Sequence, residues 1–306
     1  MKILITGAKG FLGSFLTPEI EDKYGKNNTF IFGSSEYDLR DKSQVNSLFE
    51  DVKPDKVVHL AAVVGGIGAN RKNPGKFFYE NMLMGLNLVE ACREHQVKKV
   101  VNIGTVCSYP KILPVPFKEQ DFWNGYPEET NAPYGIAKKA IIVMLQSYYQ
   151  QYGLNSTTLL PCNLYGPGDN FDLESSHVIP AMIRKIHDCQ SSGEKVTFWG
   201  DGSPTREFLY VDDAADAIIA ALETDTGPSP INIGSGIEIK MWTLATHLKD
   251  LMEYNNDIIW NTDMPNGQPR RWLDTSKSEI LEWKPKTNLA QGLKETIKWY
   301  KENHDI

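Results

Sequence analysis

The 306-residue chain predicts an α/β fold built on a doubly wound parallel sheet. Short apolar runs alternate with longer amphipathic stretches through the first half, the first run feeds straight into a glycine-rich turn, and strand-then-helix patterning returns at 206–222. The runs KILITG (2–7), TFIFGS (29–34), KVVHLAA (56–62) and KKVVNIGT (98–105) are apolar in blocks rather than in alternation. That marks strands covered on both faces by the helices between them.

The helix after the first run contains Pro18, which is expected to distort or shorten it because proline has no N–H and crowds the preceding turn. Further helices are expected from about 42, from about 74 and near Pro133, the last leading into a strand within LNSTTLLPCNLYG (154–166). Beyond Gly166 the pattern breaks into DNF (169–171), a helix at SHVIPAMIRKIHDC (176–189), KVTFWGDGSP (195–204) and REFLYVDDAADAIIAAL (206–222). The helices near 74–95 and 134–152 are expected to pair with their copies in a homodimer. The second carries Ile141, Ile142, Met144, Leu145 and Tyr148, more apolar surface than one sheet face requires.

Composition narrows the partners. A net charge of -7 offers no general field for nucleic acid, so a polyanionic ligand must be held by local cations or helix N-termini. Four widely spaced cysteines, Cys92, Cys107, Cys162 and Cys189, form neither a metal-binding pair nor a disulfide framework, which points to a reducing cytoplasm and no metal. No apolar run approaches the ~18 residues of a membrane span, and no charged leader precedes the first strand, so neither targeting nor membrane insertion is expected.

Gly7, Gly10 and Gly13 form G-x-x-G-x-x-G between the first strand and its helix. In that setting glycines let the backbone approach a pyrophosphate stabilised by the helix N-terminus, which is the Rossmann dinucleotide turn. The second run ends in Gly33-Ser34-Ser35 with no acid at its tip to hold both ribose hydroxyls. This favours a 2′-phosphate, hence NADP, with Lys9 as cation and Ser34 or Ser35 as donors, although Glu36 argues the other way. Asp41 is placed either at the adenine amino group or at a helix cap. The expected division is a dinucleotide-binding domain over 1–165, with a returning segment at about 205–235, and a smaller, discontinuous substrate-binding domain over 166–204 and 236–306.

Tyr134 and Lys138 make Y-x-x-x-K, a pair on one helix face. A lysine there can lower the phenol from its ordinary ~10 and hold the nicotinamide ribose, making tyrosine a usable acid. Thr105 ends the preceding strand at the sheet's carboxyl edge and supplies a hydroxyl. Cys107 lies two residues further on, where a thiol can remove a proton alpha to a ketone, or serve as a small buried hydrophobe. His177 opens a helix beyond the dinucleotide half. Arg206 is a candidate for a substrate diphosphate or for a structural salt bridge.

The stretches HLAAVVGGIGAN (59–70), CSYPK (107–111), TNAPYGIAKKA (130–140), NLYGPGDNFD (163–172), SHVIPAMIRKIHD (176–188), REFLYVDDAADA (206–217) and GQPRRWLD (267–274) span nearly the whole chain in order. In them the chain resembles the extended short-chain dehydrogenases/reductases and, among these, the GDP-L-fucose synthases. The resemblance implies a bifunctional 3,5-epimerase and NADPH-dependent 4-reductase of a GDP-4-keto-6-deoxy sugar. It matches Thr105, Tyr134 and Lys138 to the catalytic hydroxyl, tyrosine and lysine, and Cys107 and His177 to the epimerisation acid/base pair. It also implies a cofactor site that takes in Phe11, Leu12, Ala61, Ala62, Pro161, Asn163, Leu164 and His177, and a substrate site with Asn163, Lys185, Trp199, Arg206 and Arg270. The family's usual serine is Thr105 here, Val106 follows where serine is common, and Lys185 stands where arginine is frequent. A 4,6-dehydratase would carry an Asp-Glu pair after the threonine, where this chain has Val106 and Cys107. A 4-keto reductase or 4-epimerase of another sugar nucleotide, and a non-catalytic dinucleotide-binding protein, are the remaining alternatives.

Overall fold

A computed structural model describes residues 1–264 and 266–304. In chain order β1 (Ile3–Thr6), α1 (Phe11–Tyr24), β2 (Thr29–Ile31), α2 (Lys42–Val52), β3 (Lys56–His59), α3 (Ile67–Lys72), α4 (Pro74–Glu94), β4 (Lys99–Ile103), α5 (Ala132–Tyr152) and β5 (Ser156–Pro161) form the first part. There follow β6 (Asn163–Tyr165), α6 (Val178–Ser192), β7 (Val196–Trp199), β8 (Thr205–Tyr210), α7 (Val211–Glu223), β9 (Ile231–Ile233), β10 (Glu238–Lys240), α8 (Met241–Leu251), β11 (Ile258–Asn261) and α9 (Leu289–His304).

The main sheet has the order β2-β1-β3-β4-β5-β9, and every pairing in it is parallel. Every residue of β4 and β5 is buried, as expected of central strands covered on both faces. Leu16 and Ile20 of α1 pack with Ala217 and Ile218 of α7 on one side, while Leu48, Leu88 and Ile141 bring α2, α4 and α5 together on the other. Strand order reverses at β1, which has β2 on one side and β3 on the other, so a crevice opens beyond the carboxyl ends there. Thr6 Oγ1 and His59 Nδ1, 2.9 Å apart, tie β1 and β3 together. Burial, assisted by the Lys138 charge, pulls His59 down to about 3, so its ring packs neutral.

A second sheet, β10-β8-β6, and the parallel pair β11-β7 lie beyond β5. Their apolar residues gather with α6, α8 and α9 around Tyr165, Ile183, Phe208, Leu244 and Leu293. Within the expected returning segment β8 pairs with β6 and β10, while α7 packs against α1 and β9 joins the main sheet beside β5.

Two other expectations are corrected. α1 runs unbroken through Pro18 for 14 residues, because Leu16, Thr17 and Ile20 are buried and their packing outweighs one missing hydrogen bond to the Ser14 carbonyl. On α5, Ile141, Ile142 and Leu145 are not surplus surface but core. The exposed apolar side chains of these two helices are instead Phe78, Tyr79 and Leu86 on α4 and Val143, Tyr149 and Tyr152 on α5. No described helix is long and apolar enough to cross a membrane.

The turn between β1 and α1 admits no side chain at two points. Gly7 has φ +72°, and a Cβ there would stand 2.7 Å from the Ala61 amide nitrogen. A Cβ on Gly13 would stand 2.6 Å from Ala8 Cα, whereas one on Gly10 meets only the Gly7 carbonyl at 3.2 Å. Gly13→Ala is expected to cost about 1–3 kcal/mol in urea denaturation, with Gly10→Ala costing clearly less. Equal midpoints for the two variants would refute the close approach.

Candidate active site

A cleft of about 1600 Å³ lies beyond the carboxyl ends of β1, β3, β4 and β5 and extends to α6, β7 and β8. Gly7, Lys9, Gly10, Phe11, Leu12 and Gly13 line one end, facing Ala61 and Ala62 after β3. α1 has Gly10 as its N-cap, no side-chain cap bond and no acid in its first turn. Its leading N–H groups are therefore available to an anion, with no carboxylate set against it. These features fit a dinucleotide pyrophosphate.

At the ribose end Ser34 lines the cleft, and Ser35 does not. Lys9 Nζ lies 3.4 Å from Glu36 Oε2, both side chains well exposed. Glu36 turns back to accept the Gly33 amide at 2.5 Å, which with Lys9 holds its carboxyl below the usual range. The acid is thus spent on its own loop and does not line the cleft. Of the two places open to Asp41 the helix cap is the one it takes, and the cofactor role is corrected: it caps α2, accepting from Ser43 N at 2.8 Å and Gln44 N at 3.4 Å, and does not line the cleft. Its neighbour Arg40 does, forked onto Asp38 at 2.7 and 2.9 Å and 3.2 Å from Glu80. Arg40 is absent from the expected cofactor set, and its only mark in the sequence is a basic residue beside a helix cap in the D-L-R-D stretch.

Thr105 sits two residues past β4 and opens a short 3-10 turn, Val106–Ser108. Its hydroxyl accepts the Cys107 amide at 3.1 Å and bonds Tyr134, favouring the phenolate. The opposite pressure is stronger: burial, then the Cys107 charge, push the Tyr134 phenol up. Lys138 does not relieve this as expected. Its amine donates to the Ile103 carbonyl at 2.9 Å, and burial pulls it down to about 8. Ser108 Oγ donates to the Gly135 carbonyl at 2.8 Å, locking α5 against the turn that carries Cys107.

The thiol of Cys107 is partly accessible and lies 3.6 Å from Arg271 Nη1. Arg271 is itself forked onto Gln268 Oε1 at 2.9 and 3.2 Å. Arg206 donates to the carbonyls of Thr205 and Gln268, both at 2.7 Å; burial and then Arg271 bring it down to about 10, with Cys107 opposing. Arg270, expected in the substrate site, lies outside the cleft and pairs with Glu238 at 2.5 Å. The reason is local. Residue 270 bridges Thr205 in an extended segment, where successive side chains face opposite ways, so Arg271 and not Arg270 turns inward. An R-R pair in an extended stretch carries that signal, without saying which residue is inside.

His177 is the N-cap of α6 and lines the cleft with its side chain half exposed. Asp169 raises it above its ordinary value, against burial. Pro161, Asn163 and Leu164 line the cleft where β5 passes into β6, and Asn163 Nδ2 donates to the Glu207 carbonyl at 2.8 Å. At the far end Lys185 Nζ sits 5.8 Å from the centre of the exposed Trp199 ring, with Arg206 also on the cleft wall. An aromatic face with cations close by suits a flat base attached to phosphates.

Similarity to known proteins agrees with this arrangement. Residues 3–234 match the sequence profile of the NAD dependent epimerase/dehydratase family. A GDP-L-fucose synthase of Arabidopsis thaliana is 40% identical over 303 residues, covering 99% of this chain and 94% of the relative. That of Escherichia coli K12 is 36% identical over 314 residues, covering 99% and 98%. A GDP-mannoheptose C4 reductase from Campylobacter jejuni, solved with NADP bound, superposes with a TM-score of 0.89 at 31% identity, covering 98% of each chain. With a glycine turn open to pyrophosphate, Tyr134 and Lys138 both on the wall of the same cleft and this full-length likeness, the chain belongs to the NAD dependent epimerase/dehydratase family.

Proposed function

We propose that the protein is a bifunctional 3,5-epimerase and NADPH-dependent 4-reductase of a GDP-4-keto-6-deoxy sugar, forming GDP-L-fucose or a close analogue. The observation that carries this is one continuous cleft lined by the glycine turn, by Thr105, Cys107, Tyr134 and Lys138, and by His177. Full-length similarity to GDP-L-fucose synthases supports the same reading.

The glycine turn and α1 would hold the pyrophosphate, Lys9, Ser34 and Arg40 the 2′-phosphate, and Lys138 the nicotinamide ribose. Bound NADPH supplies hydride to C4. The residues of the chain do the rest. Cys107 as thiolate takes a proton from C3 or C5, and the bonding electrons move onto the C4 oxygen, where Tyr134 and Thr105 stabilise the enolate. His177, reaching in from the second lobe, returns a proton from the other face of the ring. Once C4 is reduced, the Tyr134 hydroxyl protonates the alkoxide. Arg271 gives Cys107 a charge-assisted hydrogen bond whenever the sulfur is negative. Lys185, Trp199 and Arg206 would receive the nucleotide end of the substrate, with Asn163 near the sugar. The chain divides for this task into a cofactor part, 1–165 with about 205–235, and a substrate part, 166–204 and 236–306. Exposed Phe78, Tyr79, Val143 and Tyr149 on α4 and α5 support a homodimer through these helices.

The direct test is incubation with NADPH and GDP-4-keto-6-deoxymannose, the product being identified by NMR. GDP-L-fucose is expected, with NADPH consumed stoichiometrically. A product of the unepimerised series would leave a plain 4-keto reductase. Tyr134→Phe is expected to lower reduction by roughly 10²–10⁴-fold, whereas Cys107→Ser abolishes deuterium exchange at C3 and C5 yet still permits reduction. In a separate measurement, Arg271→Met is expected to slow iodoacetamide alkylation of Cys107 severalfold, read by peptide mass mapping. An unchanged rate would remove Arg271 from the chemistry. Light scattering should give twice the 34.5 kDa chain mass; a monomer at micromolar concentration would sink the dimer.

A further inference from the structure

His177 is not alone at its end of the cleft. Asp169, on the loop between β6 and α6, is 7% exposed and does not line the cleft. Its Oδ1 accepts the Asn170 amide at 2.7 Å and stands 3.8 Å from His177 Nδ1, an ion-pair distance. Its Oδ2 is buried and makes no hydrogen bond among the described residues. A buried carboxylate with an orphaned oxygen is costly to keep, so packing alone gives no reason for an acid here.

We propose that Asp169 is a positioning residue for His177: the carboxylate holds Nδ1 from behind and leaves Nε2 as the ring nitrogen that serves the cleft. The proposal rests on the reading of His177 as the epimerisation acid.

The charged groups around the imidazole are otherwise engaged. On the same loop Asp172 accepts the amides of Glu174 and Ser175, both at 3.1 Å. On α6, Arg184 donates to the Phe171 carbonyl at 3.1 Å and lies 3.7 Å from Asp188, and Lys185 donates to the Thr197 carbonyl at 3.3 Å. Asp169 is the leading cause that raises His177, and burial opposes it. The sign follows. A neighbouring carboxylate keeps the imidazole protonated to higher pH, so proton delivery persists on the alkaline side and fails as pH climbs through the raised titration point. An Asp-His pair of this kind also fixes which ring nitrogen faces outward.

The test uses the NADP-loaded enzyme. The His177 imidazole is titrated by NMR, its signals being assigned from their loss in His177→Asn. A midpoint above the ordinary 6.5 is expected, moving down in Asp169→Asn. A wild-type midpoint at or below the ordinary value overturns the proposal whether or not the variant folds. Deuterium exchange and inversion of GDP-4-keto-6-deoxymannose are then followed against pH with NADP⁺. Asp169→Asn is expected to lose roughly tenfold or more of the inversion rate on the alkaline side, and to add no further loss in a His177→Asn background. A uniform loss at all pH values, or an additive loss in the double variant, shows a merely structural residue. Wild-type enzyme that exchanges no deuterium defeats the epimerase reading instead, and the NMR midpoint still decides the Asp169 contact.

Discussion

The Glu207 carboxylate, fully buried on β8, accepts the amides of Gly236 at 2.7 Å and Leu273 at 3.0 Å, with a further backbone bond to Ser235. These bonds join three segments far apart in sequence: β8, the turn before β10, and the loop around 267–274. Burial pushes this carboxyl up to about 7 despite the amides, which measures how little water reaches it. The cationic wall of the cleft depends on that junction. Arg206 immediately precedes Glu207, and Arg271 lies two residues before Leu273, so the same knot delivers both guanidinium groups to the side of Cys107.

Burial also sets the character of the reductive centre. Lys138 is drawn down to about 8 and Tyr134 is pushed up, each toward its neutral form, because Lys138 is buried and Tyr134 is largely desolvated on the cleft wall where α5 crosses the end of β4. The hydrogen bond from Thr105 favours the phenolate, and it does so from a backbone turn that also holds Cys107. The short turn that Thr105 opens therefore positions the partner of the phenol and the thiol together, while Gly135 lies so close beneath it that an added Cβ would stand 2.6 Å from the Cys107 carbonyl oxygen. The geometry is preorganised by backbone contacts rather than by side-chain ion pairs.

Much of this was legible in the chain because it is local. A glycine triplet between an apolar run and a helix permits few other conformations, and Gly7 and Gly13 duly stand where backbone passes too close for a Cβ. Tyr134 and Lys138 share a helix face by periodicity alone. The errors have a common cause. Asp41 and Arg40, like Arg270 and Arg271, are adjacent residues of which one reaches the cleft, and the choice rests on a cap or a strand bridge elsewhere. Pro18 misled for the same reason, since the helix is held by what its neighbours bury.

Sequence by itself determined the parallel α/β architecture, the dinucleotide turn and the residue types of the reactive set, since these follow from periodicity and from bonds a few residues apart. Tertiary structure decided which side chains meet: Arg271 with Cys107 across 164 positions, Asp169 behind His177, Glu207 beneath two loops, and Lys138 on the Ile103 carbonyl. Such contacts arise from the burial of whole elements against one another. No short stretch of chain encodes the partner that packing will bring to it.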